Sequence, residues 1–320
     1  MDLTRPQVED VVRTLEPDLI FFDFAHWIPQ VALEFGAKSV DYLLLSAAAV
    51  ASLIVQGCEL GVPPPGYPSS KVLLHKKDAY SMKPLANSTE DLDAFQERFT
   101  ASFTKCDVIL IKACKEFEGE FCNYVERKFD KKILFTGPML PQGDTTIPLE
   151  ERWSNWLMVK PPKGTTTIQE ALPEGFEERV KGRGVVWGGW VQQPLILSHA
   201  SVGCFVSHCG LGSMWESLVS DCQIVLVPHL TEQIINARLM TGELEVSVEV
   251  AREETGWFSK ESLCDAIESV MNRGSQLGIR VRKNHTRWRK TLTSPGLING
   301  YVDDLIESLN DLIVHGTNSD

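Results

Sequence analysis

The sequence lacks an excess of positive charge and lacks long apolar runs, and both absences limit what it can do. Its 31 lysines and arginines stand against 43 aspartates and glutamates, which gives a net charge of −12. A nucleic-acid partner needs concentrated lysine and arginine to contact phosphates, so that class of function is excluded. The one basic cluster, residues 280–290, is interpreted as a solvated face of a helix.

The longest apolar run, residues 42–55, is shorter than the roughly 20 residues of a membrane helix and contains two serines. It is interpreted as a buried strand followed by an alanine-rich helix, and no membrane insertion is expected. The N-terminal residues are polar and acidic, unlike a secretory leader. These features together predict a cytoplasmic protein.

Eight cysteines are scattered along the chain, and none forms a C-x-x-C pair with a matching second pair of ligands. A zinc site is therefore not expected, and buried thiols in a reducing compartment are the preferred interpretation. Cys209 follows His208, which looks like a nucleophile beside its base. Adjacent residues of a strand point to opposite faces, so these two are not expected to act together.

Short apolar or β-branched runs alternate with helical patterns, which predicts parallel sheets with helices on both faces. The Pro-rich stretch 138–148 is interpreted as an interdomain linker. Helices are predicted near residues 6–16, 27–35, 89–104 and 115–129, and in a tail over 260–315 interrupted at 294–296. Strands are predicted at Asp18–Asp23, Ser39–Leu45, Asp107–Lys112, Ile133–Gly137, Gly184–Trp187, Val202–Ser207, Ile224–Val227 and Val246–Val250.

The segment 190–233 carries most of the chemistry. Within it, a predicted strand leads into Cys-Gly-Leu-Gly-Ser and then into a helix that begins near Ser213. The free backbone N–H groups and positive dipole end of such a helix suit a phosphate group. Gly210 and Gly212 allow close approach of a ligand to the backbone. Because Trp215 stands where a dinucleotide fingerprint has its third glycine, an ordinary N-capping turn stays open as an alternative.

Three further side chains of this segment fit a nucleotide carrying a sugar, and each has an ordinary alternative. Glu216 lies about one helical turn beyond Ser213 and suits a ribose diol, or is a solvated helix carboxylate. Trp190 either stacks on a nucleobase or belongs to the core. Gln233 either hydrogen-bonds sugar hydroxyls or begins the next helix. Their joint order and spacing favour the binding interpretation.

This segment resembles the signature box of plant UDP-dependent glycosyltransferases, and the resemblance extends over nearly the whole chain. It is most similar to the branch that adds a sugar to flavonoid or anthocyanidin 3-O-glycosides at the 2''-hydroxyl. The resemblance implies an α/β fold of the GT-B type, with two Rossmann-like, doubly wound parallel-sheet domains, both incomplete. The implied parts are a partial acceptor-side domain (1–137), a linker with a deletion junction (138–160), a UDP-sugar-binding domain (161–296), and a C-terminal helix and tail (297–320).

The resemblance also implies the ligands. A UDP-sugar is the co-substrate, a small phenolic or flavonoid glycoside is the acceptor, and no cofactor or metal is expected. Leu211 and Gly212 replace the commoner Trp and Asn of the family, yet backbone N–H groups at this turn still reach phosphate. Glutamine at the last position tends to accompany glucose in the family, and it does not exclude xylose or other sugars. The implied donor residues are Trp190 on uracil, Gln193 on the uridine, His208, Gly212 and Ser213 on the diphosphate, Glu216 on the ribose, and Glu232 and Gln233 on the sugar.

In the family, inverting transfer uses a His that removes the acceptor proton and an Asp that orients that His. Asp23 matches the Asp, but only 22 residues precede it and they contain no matching His. His26 is interpreted as ordinary sequence at the start of a helix rather than as a replacement base. A second deletion is expected near residue 158, where the family has a strand ending in Phe-Gly-Ser. Weakened donor binding and poor or absent catalysis are therefore expected.

Two other functions are considered beside an active glycosyltransferase. A truncated, non-catalytic relative would only bind a uridine nucleotide or a partner protein. A Rossmann-type oxidoreductase is disfavoured by the G-x-G-x-x-W turn and by the Glu-Gln pair that closes the segment.

Overall fold

The computed structural model describes residues 2–54, 59–82, 89–138, 172–187 and 189–316. A first parallel sheet is built from β1 (Leu19–Phe22), β2 (Lys38–Leu43), β3 (Val108–Ile111) and β4 (Ile133–Phe135). These strands lie in the order β1-β2-β3-β4, so each pairs with its neighbours in sequence. Parallel neighbours need crossover connections, and helices supply them.

The interior of the first sheet is deeply buried, whereas Phe21 on its edge strand β1 is exposed. All four residues of β3 are buried, as expected for a parallel strand that is covered on both faces. Short 3-10 helices lie at Asp2–Thr4 and Lys76–Met82. The accompanying helices are α1 (Arg5–Leu15), α2 (Ile28–Glu34), α3 (Ala47–Leu53), α4 (Thr89–Lys105) and α5 (Lys115–Phe129).

A second parallel sheet follows, with strands β5 (Cys204–Ser207), β6 (Gln223–Leu226) and β7 (Ser247–Glu249) in that order. A π-helical turn at Leu239–Glu243 precedes β7. The central strand β6 is buried at every position, whereas Val206 on β5 is 43% exposed. The helices of this part are α6 (Phe176–Val180), α7 (Gln193–Leu197), α8 (Leu211–Val219), α9 (Thr231–Arg238), α10 (Lys260–Met271) and α11 (Gln276–Leu292).

Helix α3 joins the two parts, because it packs against both α5 and α9. Its alanines are buried, and small side chains let the neighbouring backbones approach closely. Ser46 begins the helix by accepting a hydrogen bond from Ala49 N on its side-chain oxygen. The hydrophobic core therefore continues from the first sheet into the second.

The last helix, α12 (Leu297–Gly316), returns to the first sheet. It contacts β2 and β4, and Leu305, Leu309 and Leu312 pack against the apolar cluster formed there by Val40 and Leu134 with their neighbours. The C-terminal end of the chain thus covers the N-terminal sheet and ties the two halves together.

Seven of the predicted strands are confirmed, with ends that differ by one or two residues. The strand predicted at Gly184–Trp187 is wrong, because these residues form no strand. A strand exists through backbone bonds to a neighbour, and among the described residues β5, β6 and β7 pair only with one another. The N–H of Gly184 instead bonds to Val180 O at 2.8 Å, which closes the end of α6.

The predicted break of the tail at 294–296 is confirmed, and a second break lies at 272–275 between α10 and α11. Ser275 explains it, since its side chain accepts from Gly278 N and caps a new helix. The basic cluster 280–290 lies on α11, as predicted. Most of the predicted linker and junction, residues 139–160, lies outside the described residues, and the domain bounds stay predictions.

Candidate functional site

The turn between β5 and α8 carries three of the predicted residues at the carboxyl edge of the second sheet. Ser207 ends the strand, and its hydroxyl accepts from Cys209 N at 3.1 Å. Cys209 has φ 63°, a left-handed conformation that is uncommon for a residue with a side chain. This reversal brings the chain directly into α8, whose first turn presents backbone N–H groups without helical acceptors.

The glycines of this turn have different roles. A Cβ atom on Gly210 would lie 2.6 Å from Nε2 of His208, so the imidazole ring occupies the space that a side chain would need. Around Gly212 nothing lies within 4 Å of such an atom, which leaves open space in front of the helix N-terminus. Ser213 is partly accessible beside it. The turn is therefore open to a ligand at the position predicted for a diphosphate.

Gln193 and Glu216 are brought together, although 23 residues separate them. Gln193 Nε2 donates to Glu216 Oε2 at 2.5 Å, which joins the first residue of α7 to the middle of α8. Burial raises the pKa of Glu216, while the bond from Gln193 and the charge of Lys112 lower it. The residues predicted for the uridine portion and the ribose therefore occupy one location.

Glu232 and Gln233 lie at the start of α9, after β6, on the same edge of the sheet. Gln233 is 7% exposed, and its Oε1 accepts from His229 N at 3.0 Å and Leu230 N at 3.1 Å. Burial raises the pKa of Glu232, while the backbone N–H groups of both residues and the Gln233 side chain hydrogen-bond its carboxylate and lower it. The oxygen of Gln233 is thus engaged in capping α9, and the partly exposed Glu232 carboxylate is the group that a sugar hydroxyl can reach.

Trp190 lies in the loop before α7 and is 81% exposed. The core alternative for this residue is therefore wrong. An indole face open to solvent is available for stacking on a planar base.

Asp23 follows β1 at the carboxyl edge of the first sheet, where partial burial raises its pKa. Asp41 lies next to it on β2, opposite Phe22, and is buried. Burial raises the pKa of Asp41 to about 7, while a bond from Ser102 lowers it and the charge of Asp23 raises it. Within the described residues no hydrogen bond or ion pair joins Asp23 to a histidine, His26 included.

Cys209 is fully buried and its pKa lies well above the usual value because of burial, whereas His208 is exposed. This difference supports the prediction that these two residues do not act as a nucleophile pair. In the described ranges, no group of three or more His, Cys, Asp or Glu side chains is arranged to hold a metal ion. Among the helices that the structure describes, none has the length and apolar character to cross a membrane.

Sequence reasoning missed two buried polar residues behind this site. Asn236 donates from Nδ2 to Cys209 O at 3.0 Å, and Ser46 Oγ donates to Asn236 Oδ1 at 2.6 Å. A weak signal existed for Asn236, because it lies one helical turn after Gln233 and is flanked by Ile235 and Ala237. No sequence signal links Ser46 to it across 190 residues.

Comparison with known proteins identifies the family. The family model described as "UDP-glucoronosyl and UDP-glucosyl transferase" matches residues 179–277. UDP-glycosyltransferase 79B3 of Arabidopsis thaliana is 60% identical over 363 residues, which cover 100% of this chain and 80% of that protein. UDP-glycosyltransferase 79B2 of the same plant is also 60% identical, over 99% of this chain and 79% of its own length.

Solved structures show the same fold. Glycyrrhiza uralensis UGT73P12, complexed with glycyrrhetinic acid 3-O-monoglucuronide, superimposes with a TM-score of 0.78 and 19% identity over 99% of this chain and 78% of that one. Phytolacca americana UGT2, complexed with UDP-2fluoro-glucose and pterostilbene, superimposes with a TM-score of 0.75 and 18% identity. The match covers 95% of this chain and 78% of that one.

The structure and the relatives point to the same family. The chain has two parallel sheets that the C-terminal helix links and an open turn at α8, and it has relatives at 60% identity. These solved relatives are glycosyltransferases of the GT-B type, and the fold of this chain is GT-B. The chain belongs to the plant family 1 UDP-glycosyltransferases and is a UDP-dependent glycosyltransferase.

Proposed function

We propose that the edge of the second sheet formed by α7, α8 and α9 binds a UDP-sugar. The observation that carries this proposal is the hydrogen bond of 2.5 Å between Gln193 and Glu216, which places the two predicted uridine contacts at one point beside the open turn. The N-terminus of α8 offers N–H donors and a positive dipole end to the diphosphate. The ionised carboxylate of Glu216 accepts from the ribose hydroxyls, and Trp190 stacks on uracil.

We propose further that the sugar is glucose and that it passes to a hydroxyl of a flavonoid glycoside or a related small phenolic, with inversion. Glu232, at the same edge, holds the sugar hydroxyls. A small acceptor is compatible with this fold, since one solved structure of the same fold is a complex with a glycoside and another is a complex with pterostilbene. No cofactor takes part in this scheme. A reducing, cytoplasmic location is supported by free thiols at all seven cysteines that the structure describes.

A second candidate is nucleotide binding with little or no transfer. In the described ranges Asp23 has no histidine partner, although the family reaction needs such a pair. The match to the 79B3 relative spans 363 residues where this chain has 320, which supports an internal deletion. The exposed face of β5 at Val206 and the missing strand at Gly184–Trp187 agree with the loss of neighbouring strands.

Calorimetry with UDP, together with turnover of UDP-glucose on a flavonol glucoside, separates the two candidates. Glucosyl transfer supports the enzyme, whereas UDP binding without transfer supports the second candidate. Trp190→Ala should abolish UDP binding, and Trp257→Ala, which removes another exposed indole, should leave it unchanged. Unchanged affinity in Trp190→Ala would refute the proposed site.

A further inference from the structure

A buried chain of hydrogen bonds runs from the first sheet domain to the open turn. Ser46 Oγ donates to Asn236 Oδ1 at 2.6 Å, and Asn236 Nδ2 donates to Cys209 O at 3.0 Å. All three residues are at most 1% exposed. The carbonyl of Cys209 can only accept, so the amide of Asn236 has one orientation that satisfies both neighbours.

The carbonyl that Asn236 holds belongs to the strained residue of the turn. Cys209 has φ 63°, and this left-handed backbone conformation is unfavourable for a residue with a Cβ atom. Such a conformation persists only where surrounding contacts over-determine it. Here the contacts are Ser207 Oγ on Cys209 N at 3.1 Å and Asn236 on Cys209 O.

The direction of this peptide group decides where the turn points its donors. A trans peptide is planar, so its C=O and the following N–H point to opposite sides. Because the Cys209 carbonyl points inward to Asn236, the N–H of Gly210 points away from α9. Gly212, two residues further on in the first turn of α8, borders open space.

We propose that Asn236 is a positioning residue for the donor turn, and that Ser46 couples its orientation to the acceptor-side domain. This inference rests on the proposed binding of a UDP-sugar at α8. Asn236 touches no part of the donor itself. It holds the Cys209–Gly210 peptide with the N–H directed at the diphosphate, and Ser46, which also caps α3, holds Asn236.

Asn236→Asp tests the first link, because it keeps the size of the side chain and its acceptor for Ser46 but removes the donor to Cys209. We expect the Kd for UDP and the KM for the UDP-sugar to rise about ten-fold, since one hydrogen bond is worth roughly 1.4 kcal/mol. The KM for the acceptor should change by less than about two-fold. If Asn236 only stabilised the fold, its replacement would change the KM for the UDP-sugar and the KM for the acceptor together, or would change neither.

Ser46→Ala tests the second link with a matched control. Ser46 and Ser259 are both N-cap serines whose side chains accept from the N–H three residues on, at 3.1 and 3.0 Å. Replacement of either serine by alanine removes the same kind of N-cap hydrogen bond and should destabilise its helix. Only Ser46 also contacts Asn236, so Ser46→Ala should weaken UDP binding about three-fold and Ser259→Ala should not.

The outcomes separate this inference from the proposed function. If the wild-type chain binds no UDP, the proposed donor site is wrong and the inference falls with it. If the wild type binds UDP and Asn236→Asp binds it within about two-fold, the inference alone is overturned. Should Asn236→Asp fail to fold, the Ser46 and Ser259 pair decides, and equal UDP affinities of these two variants overturn the inference.

Discussion

Glu216, Glu232 and Asp23 are each partly buried, and in each the loss of hydration raises the pKa of the carboxyl. Asp23 directly follows β1, whereas Glu216 and Glu232 lie on the helices that follow β5 and β6, at the sheet edges where α/β proteins place ligands. A carboxylate that is incompletely hydrated gains more from a ligand hydroxyl than a solvated one does. A hydrogen bond from a ligand hydroxyl would therefore stabilise each of these carboxylates in its ionised form.

The raised pKa of Glu216 predicts how UDP binding depends on pH. The ionised carboxylate accepts from the ribose, so affinity is present above its pKa and is lost as the pH falls through that value, above the ordinary 4.5. Glu216→Gln should weaken UDP binding about ten-fold at pH 7 and should lose this pH dependence. Calorimetric titration with UDP between pH 5 and 8 measures the affinity and its pH dependence. Glu120→Gln, an exposed change on α5, is the control, and an identical pH profile in the two variants would contradict the role of Glu216.

Glu118 on α5 predicts a pH dependence of folding. It is fully buried, Ala48 N donates to its Oε1 at 3.3 Å, and Oε2 has no partner among the described residues. Burial raises its pKa to about 8, so the folded state holds a proton that the unfolded state releases above 4.5. Stability therefore falls as the pH rises from 4.5 to about 8, by roughly 1.4 kcal/mol per pH unit at most.

Glu118→Gln removes this titration and should raise Tm relative to wild type at pH 8.5, with little difference at pH 5. Thermal unfolding at the two pH values measures the effect. A difference of Tm that is the same at both values would show that Glu118 is not the responsible group.

At the scale of elements, strands and helices with their own local signals were predictable. β3 is a continuous apolar run, and α8 follows a Gly-containing turn. The absence of a strand at Gly184–Trp187 was not predictable, because strand pairing depends on a neighbour that is distant in sequence. The same limit applies inside the site: the Gln193 to Glu216 bond follows from the order of elements, whereas the Ser46 to Asn236 bond depends on how two sheets pack.

The open side of β5 predicts unequal effects of one substitution on two paired strands. Val206 and Val225 are register partners on β5 and β6, with exposures of 43% and 0%. Val225→Thr buries a hydroxyl and should cost about 1–3 kcal/mol, while Val206→Thr should cost less than about 0.5 kcal/mol. Urea unfolding of both variants gives the comparison. Equal losses would mean that β5 is covered as fully as β6, against the proposed deletion of neighbouring strands.

The two sheets form one molecule through polar contacts as well as through the shared core. Arg238 on α9 bonds to Asp78 at 3.2 Å and to Glu249 at 2.9 Å, so it joins the 3-10 helix Lys76–Met82 to β7. Near it, Arg252 contacts Tyr80 and Glu249. Elsewhere, Tyr301 of α12 donates to Glu116 of α5 at 2.6 Å. The relative position of the donor edge and the acceptor edge depends on these contacts.

Removing one charge from this interface should destabilise the whole molecule far more than the same change on its surface. Asp78 is 2% exposed and its partner Arg238 is 12% exposed, whereas the Asp10–Arg13 pair is 76% and 61% exposed. Asp78→Asn leaves Arg238 buried with Glu249 alone and should lower the free energy of unfolding by about 1–3 kcal/mol. Asp10→Asn should lower it by less than about 1 kcal/mol.

Urea unfolding followed by fluorescence and by circular dichroism measures both the loss of stability and the cooperativity of unfolding. Because the interface holds the two sheets together, the two probes should separate in Asp78→Asn and coincide in wild type and Asp10→Asn. Coincident probes with equal losses would show that the halves are held together by their apolar core alone.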